Sequence, residues 1–170
     1  MSQKKEILAF FPWIIFSAGF TSFLYSGIIA LIINVAISRE DLLKGVVLEI
    51  GGCLFFAIMI LIGLCVHQPN TFSIHPNLWS NAAMSVIMLG SVCIDKPFTA
   101  QYTQKGEHRF HLHLSAIWGG LLFIAALISL LHAYFGLSNT MSTIGTIVAI
   151  IIGTKANSVY PKWYYQHIKK

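Results

Sequence analysis

The eleven Lys and Arg residues of this 170-residue chain are scattered singly or in pairs between long apolar stretches. Reading those stretches as six membrane crossings places all eleven on one side, and no other count does so well. The predicted segments are residues 7–20, 22–37, 46–66, 78–94, 112–135 and 140–153, with residues 155–170 as an interfacial tail on the cytoplasmic face. Treating residues 7–37 as one long helix leaves five crossings and divides the cations between the two sides, against the positive-inside rule. The expected fold is therefore an all-α polytopic membrane bundle with six segments and both termini cytoplasmic. The exterior turns around residues 19–22, 67–77 and 136–139 then carry no Lys, Arg, Asp or Glu.

Composition fits a bilayer better than water. Hydrophobic residues make up 56% of the chain and charged residues 10%, and mean hydropathy is +0.72, too apolar for a soluble domain of this size. The net charge of +5 does not point to nucleic acid, because the cations are dispersed as membrane orientation requires. The first two segments are short, spanning roughly 21 to 24 Å at 1.5 Å per residue against a core of ~30 Å, so this hairpin is either re-entrant or set in a thinned bilayer. Lys4 and Lys5 followed by an apolar run and Ser17-Ala18-Gly19 also imitate a signal peptide. Pro12 and Trp13 inside that run favour a retained segment.

Cys53, Cys65 and Cys93 lie within apolar segments and are odd in number, so free thiols packing as small hydrophobes are expected. Gly145, Ala149 and Gly153 recur every four residues on the last helix, as do Ser115 with Gly119 and Ala116 with Gly120 on the fifth. Small residues at that spacing let helix backbones approach closely. The Gly145, Ala149, Gly153 face serves either packing within the chain or contact with a second copy. Trp163, Tyr164, Tyr165 and the terminal lysines suit the headgroup layer, with membrane lipid as the neighbour.

Polar groups at membrane depth are the candidate sites. Glu49 is the only acid inside an apolar segment, and it is either a proton or cation site or an interfacial carboxylate paired with Lys44, Lys96 or water. Asn34 and Asn81, on the second and fourth segments, line a polar pocket or bond across helices. No metal or cofactor is expected. His67 with His132 is the only histidine pair placed to face across helices as haem ligands, and both fall at segment ends. Glu107, His108 and His111 share a helical face that a metal accepts, whereas His113 falls off it, and a solvated interfacial cluster is the simpler account. Zinc-protease, nucleophile-elbow and phosphate-loop signatures are absent, so a non-enzyme is expected.

The most specific stretch is Asp95-Lys96-Pro97-Phe98-Thr99-Ala100-Gln101-Tyr102. Lys96-Pro97 ends the fourth helix. Phe98 and Tyr102 share a face if the following residues are helical, and are expected to anchor in the membrane interface while Gln101 faces water. The stretch is either a partner-binding handle, formed by Lys96, Pro97, Phe98, Thr99, Gln101 and Tyr102, or a plain linker.

A short apolar hairpin, a crossing, then K-P-F-T-x-Q-Y as Lys96, Pro97, Phe98, Thr99, Gln101 and Tyr102, then a helix carrying Trp118 in L-S-A-I-W-G-G, resembles the bacterial YciB or intracellular septation protein A family. The resemblance implies a multi-pass inner-membrane protein that maintains the cell envelope through division or elongation partners, with no catalytic residues. A different class stands beside it: a small-solute transport component resembling the six-helix substrate-binding subunits of vitamin importers. The uncharged exterior turns, which offer little to grip a polar ligand, weigh against that alternative.

Overall fold

With no water at membrane depth, a backbone must satisfy its own N–H and C=O groups, which is why apolar stretches of this length fold as helices. The computed structural model describes residues 8–18, 23–65, 75–102, 107–135 and 139–168. Lys4, Lys5, residues 19–22, His67 and Lys105 lie outside the described residues. Seven helices follow in order: α1 Phe11–Ala18, α2 Phe23–Leu43, α3 Val47–Cys65, α4 Pro76–Cys93, α5 Phe98–Tyr102, α6 His108–Tyr134 and α7 Asn139–His167. The protein is all-helical among these residues, and α2, α3, α6 and residues 140–167 of α7 are long and apolar enough to cross a membrane.

The apolar stripes of those helices face outward. On α3, Ile50, Leu54, Ile58, Leu61 and Leu64 are exposed, and on α7 the same holds for Ile144, Ile147, Val148, Ile151 and Ile152. Such a belt would be an aggregation liability in water and is the ordinary surface of a helix facing lipid. The described Lys, Arg, Asp and Glu residues, from Arg39 on α2 to Lys162 on α7, all lie toward one end of the bundle.

Two elements depart from the sequence reading. Residues 38–45 were expected as a loop, but α2 runs on to Leu43 and ends at Gly45, whose φ is +74°. Gly45 N–H donates to Leu42 O at 3.0 Å and Val46 N–H to Asp41 O at 3.0 Å, a Schellman stop that needs a left-handed residue after the cap. The segment at 140–153 and the tail after it are one helix, α7, which continues through Pro161 to His167. Tyr160, Tyr164 and Tyr165 stack around Phe110 of α6 with ring centroids 5.6 to 6.2 Å apart, and this aromatic packing holds the helix together past the proline.

The other two predicted segments are of a different kind. Helix α1 has eight residues, about 12 Å, and sits against the bundle through Trp13 and Phe16, whose rings lie 5.0 to 5.7 Å from those of Phe55 and Phe56. Helix α4 has 18 residues but buries Asn77, Ser80, Asn81, Ser85 and Ser91. It can be polar because its polar residues are buried where it packs against α1, α3, α6 and α7, while Val86 stays exposed on the other side. Ser80 and Ser17 hydroxyls bond at 2.5 Å, Asn77 donates to Thr143 at 2.8 Å, Asn81 donates to Thr146 at 2.7 Å and Ser85 donates to Gly119 O at 2.9 Å. Each bond satisfies a group that has no water to turn to.

Small residues decide how near these helices come. A Cβ on Gly119 would lie 2.7 Å from Leu89 of α4, one on Gly51 2.7 Å from Ile87, and one on Gly153 2.7 Å from the Trp118 ring. Ser115 and Gly119 are thus on the packed face of α6, whereas Ala116 is exposed and Gly120 faces open space. The Gly145, Ala149, Gly153 face turns onto α6, with Gly145 approaching Ile128 and Ala149 buried. Ala149 and Gly153 of that face are buried within the chain, and Gly145 is half-buried.

Candidate functional site

The charged end of the bundle is organised by the stretch at Lys96–Tyr102. Helix α4 stops at Asp95, which adopts φ +57°, with Asp95 N–H donating to Val92 O at 3.1 Å and Lys96 N–H to Ser91 O at 2.9 Å. This repeats the stop of α2 with Asp in place of Gly, a residue that tolerates the left-handed region better than most. His108 Nε2 lies 2.7 Å from Asp95 Oδ1 on the exposed side. Pro97 then turns the chain inward and α5 packs beneath α6.

Of the six residues proposed as a partner handle, only Lys96 is exposed. Pro97, Phe98, Thr99 and Tyr102 are buried and Gln101 is half-buried. Phe98 and Tyr102 share a face, as their spacing requires, but that face looks into the protein: they are 4% and 3% exposed. The expectation that they anchor in the membrane interface is corrected by the tertiary contacts. Phe98 N–H donates to Ser91 Oγ at 3.1 Å. Thr99 N–H donates to Ser115 Oγ at 3.3 Å, and its hydroxyl donates to His111 O at 3.1 Å. Gln101 Oε1 accepts from Val47 N–H at 2.6 Å, capping one of the donors that the first turn of α3 leaves open. Gln101 therefore faces α3 rather than water.

Tyr102 reaches Glu49. Its hydroxyl donates to Glu49 Oε1 at 2.5 Å, Ser38 of α2 also hydrogen-bonds the carboxylate, and Glu49 is 1% exposed. The pairing anticipated with Lys44 or Lys96 is not the arrangement found. Lys44 instead lies 3.9 Å from Asp41. Asn34 is a neighbour on the membrane side, donating to Glu49 O and to Cys53 Sγ, each at 3.2 Å. Asn81 is elsewhere, in the seam between α4 and α7, so it does not join Asn34 in one pocket.

On its other side Glu49 borders a cleft of about 380 Å³. Arg39, Glu40 and Asp41 at the end of α2 line it, with Leu8 and Ile37 on its apolar wall. Nothing in the sequence signalled this cleft, because Leu8 and Glu49 are brought together only by the seating of α1.

The histidines disperse. His108 pairs with Asp95, His111 is buried against Thr99, and His113 Nδ1 lies 2.9 Å from the Tyr160 hydroxyl. His108 and His111 are thus engaged separately, and no group of three His, Cys, Asp or Glu among the described residues, Glu107 included, can hold a metal ion. His132 is described but its suggested partner, His67, is not. Cys53, Cys65 and Cys93 are free thiols. Trp118, the aromatic of L-S-A-I-W-G-G, donates to Asn157 Oδ1 at 2.8 Å and stacks on Phe10 at 4.9 Å. Comparison with protein-family models, with curated proteins and with solved structures finds no match for the chain.

Proposed function

We propose that this chain is a non-enzymatic, multi-pass protein of a bacterial inner membrane that maintains the cell envelope through division or wall-synthesis partners. It has six membrane segments, of which α1 is a short one lying beside the full-length α2, and keeps both termini in the cytoplasm. The observation that carries the reading is the build of the charged end. Residues 97–102 are spent on joining α3, α4 and α6, so Asp95, Lys96, His108 and Arg109 stand on a fixed rim. Pre-ordered charged groups of this kind are suited to partner recognition, because little side-chain and loop entropy is lost on docking. Lys96 meets the partner, while Pro97, Phe98, Thr99, Gln101 and Tyr102 position it.

Photo-crosslinking in living cells from positions 96 and 109, with mass spectrometry of the products, tests this reading. Division or wall-synthesis proteins are the expected captures, and a transport ATPase would replace the reading with the small-solute alternative. That second reading is favoured by one feature, the cleft beside Glu49, which falls within the size range of small-molecule sites. Membrane-impermeant labelling of a cysteine placed at Lys44 or Lys155 checks the topology, and labelling from the outside would overturn it.

A further inference from the structure

The lining of the cleft is divided by chemistry. One side is apolar, with Leu8, Ala36 and Ile37 all exposed on the flank of the bundle. The opposite side is charged, with Arg39 and Asp41 at the rim and Glu49 at the floor. Arg39 makes no ion pair or hydrogen bond with the other described residues, and its fork of donors suits a phosphate. Glu49, by contrast, is almost wholly buried and held by Tyr102 and Ser38, so its carboxylate is a fixed acceptor at the edge of a void. The carboxylates do not converge on a point that a metal ion would need. They are spread around a space of about 380 Å³, which calls for an extended organic ligand carrying a cation.

Phosphate, ammonium and an apolar tail in one molecule describe an amphiphilic zwitterion, and the position of the cleft agrees. It lies where a lipid-facing helix, α2, passes from its apolar length to Arg39, Glu40 and Asp41, the depth at which headgroups meet protein. We propose that the cleft binds the headgroup of a zwitterionic aminophospholipid, with the phosphate on Arg39, the primary ammonium between Glu49 and Asp41, and the first acyl carbons along Leu8, Ala36 and Ile37. A primary ammonium offers three N–H donors to the two carboxylates, whereas a trimethylated one offers none. The inference requires only that the bundle lie in a bilayer, and it stands or falls separately from the identity of any protein partner.

The test uses the full chain, purified in detergent, delipidated and exposed to equal amounts of phosphatidylethanolamine, phosphatidylcholine and phosphatidylglycerol, with retained lipid read by native mass spectrometry. Phosphatidylethanolamine is expected to be retained over both others. Arg39→Ala and Glu49→Gln are each expected to reduce that retention by about tenfold, the loss of one charge-assisted contact. Arg39 has no partner among the described residues, so its variant reports on the site even if Glu49→Gln disturbs the fold. Equal retention of the three lipids, or unchanged preference in Arg39→Ala, would overturn the proposal. Displacement of the lipid by millimolar free phosphoethanolamine would also overturn it, by showing a site for a soluble solute.

Discussion

Replacing Tyr102 with Phe removes a single oxygen from the centre of the charged end and leaves the ring in place. Tyr102 and Glu49 are 3% and 1% exposed, and their 2.5 Å bond joins α5 to α3 across 53 residues of sequence. The ring contact with Phe98, at 6.3 Å between centroids, survives the change, so the cost is that of the hydrogen bond. A buried bond to a carboxylate contributes about 1.5 to 3 kcal/mol. Glu49 keeps its contact with Ser38, so the expected loss is at the lower end, about 1.5 kcal/mol. Glu49→Met removes the acceptor at similar side-chain length and therefore loses the same bond. In the double variant the bond can be lost only once, which predicts a coupling of about 1 kcal/mol or more between the two positions. Equilibrium unfolding in mixed micelles, with the four proteins of the cycle measured side by side, gives that coupling directly. Additivity to within about 0.5 kcal/mol would show that Tyr102 and Glu49 do not act on one another, and the account of α5 as a tie between α3 and α6 would fail.

Two further outcomes follow from backbone geometry and packing. Gly45→Ala is expected to destabilise by about 1 kcal/mol through its positive φ alone, since a Cβ there meets nothing within 4 Å; an unchanged unfolding midpoint would argue against the stop described for α2. Gly153→Ala is expected to cost about 1 to 3 kcal/mol and to shift Trp118 fluorescence, because the new methyl lies 2.7 Å from the indole. Gly120→Ala, facing open space, serves as the neutral comparison, and equal effects from the two variants would show that α7 does not pack on α6 as described.

Much of the helical framework is legible in the sequence. Hydropathy alone places α3 within a residue of its observed bounds and brings α4 and α6 close, because an apolar run in a bilayer has only the helix open to it. The boundaries that escape it depend on groups distant in sequence. Nothing local says that α7 continues past Pro161, since the rings that support it come from Phe110 on α6. The polarity of α4 is visible as Asn77, Ser80, Asn81 and Ser85, but the helices that pack over those residues are not, and only that burial explains why the polarity is tolerated.

The candidate site divides in the same way. Periodicity correctly puts Phe98 and Tyr102 on one face of a helix, yet cannot say whether the face meets lipid or protein. A five-residue helix has no stability of its own, so its orientation is decided by what captures it: Ser91, Ser115, Val47 and Glu49. The sequence by itself determined the class of molecule, the helical segments and the gathering of charge toward one end, because burial in lipid and the cost of moving cations across it act on each segment separately. Which polar side chains meet, and the cleft beside Glu49, were decided by the tertiary structure alone, because hydrogen bonds and close packing depend on ångström-scale approach between segments far apart in the chain.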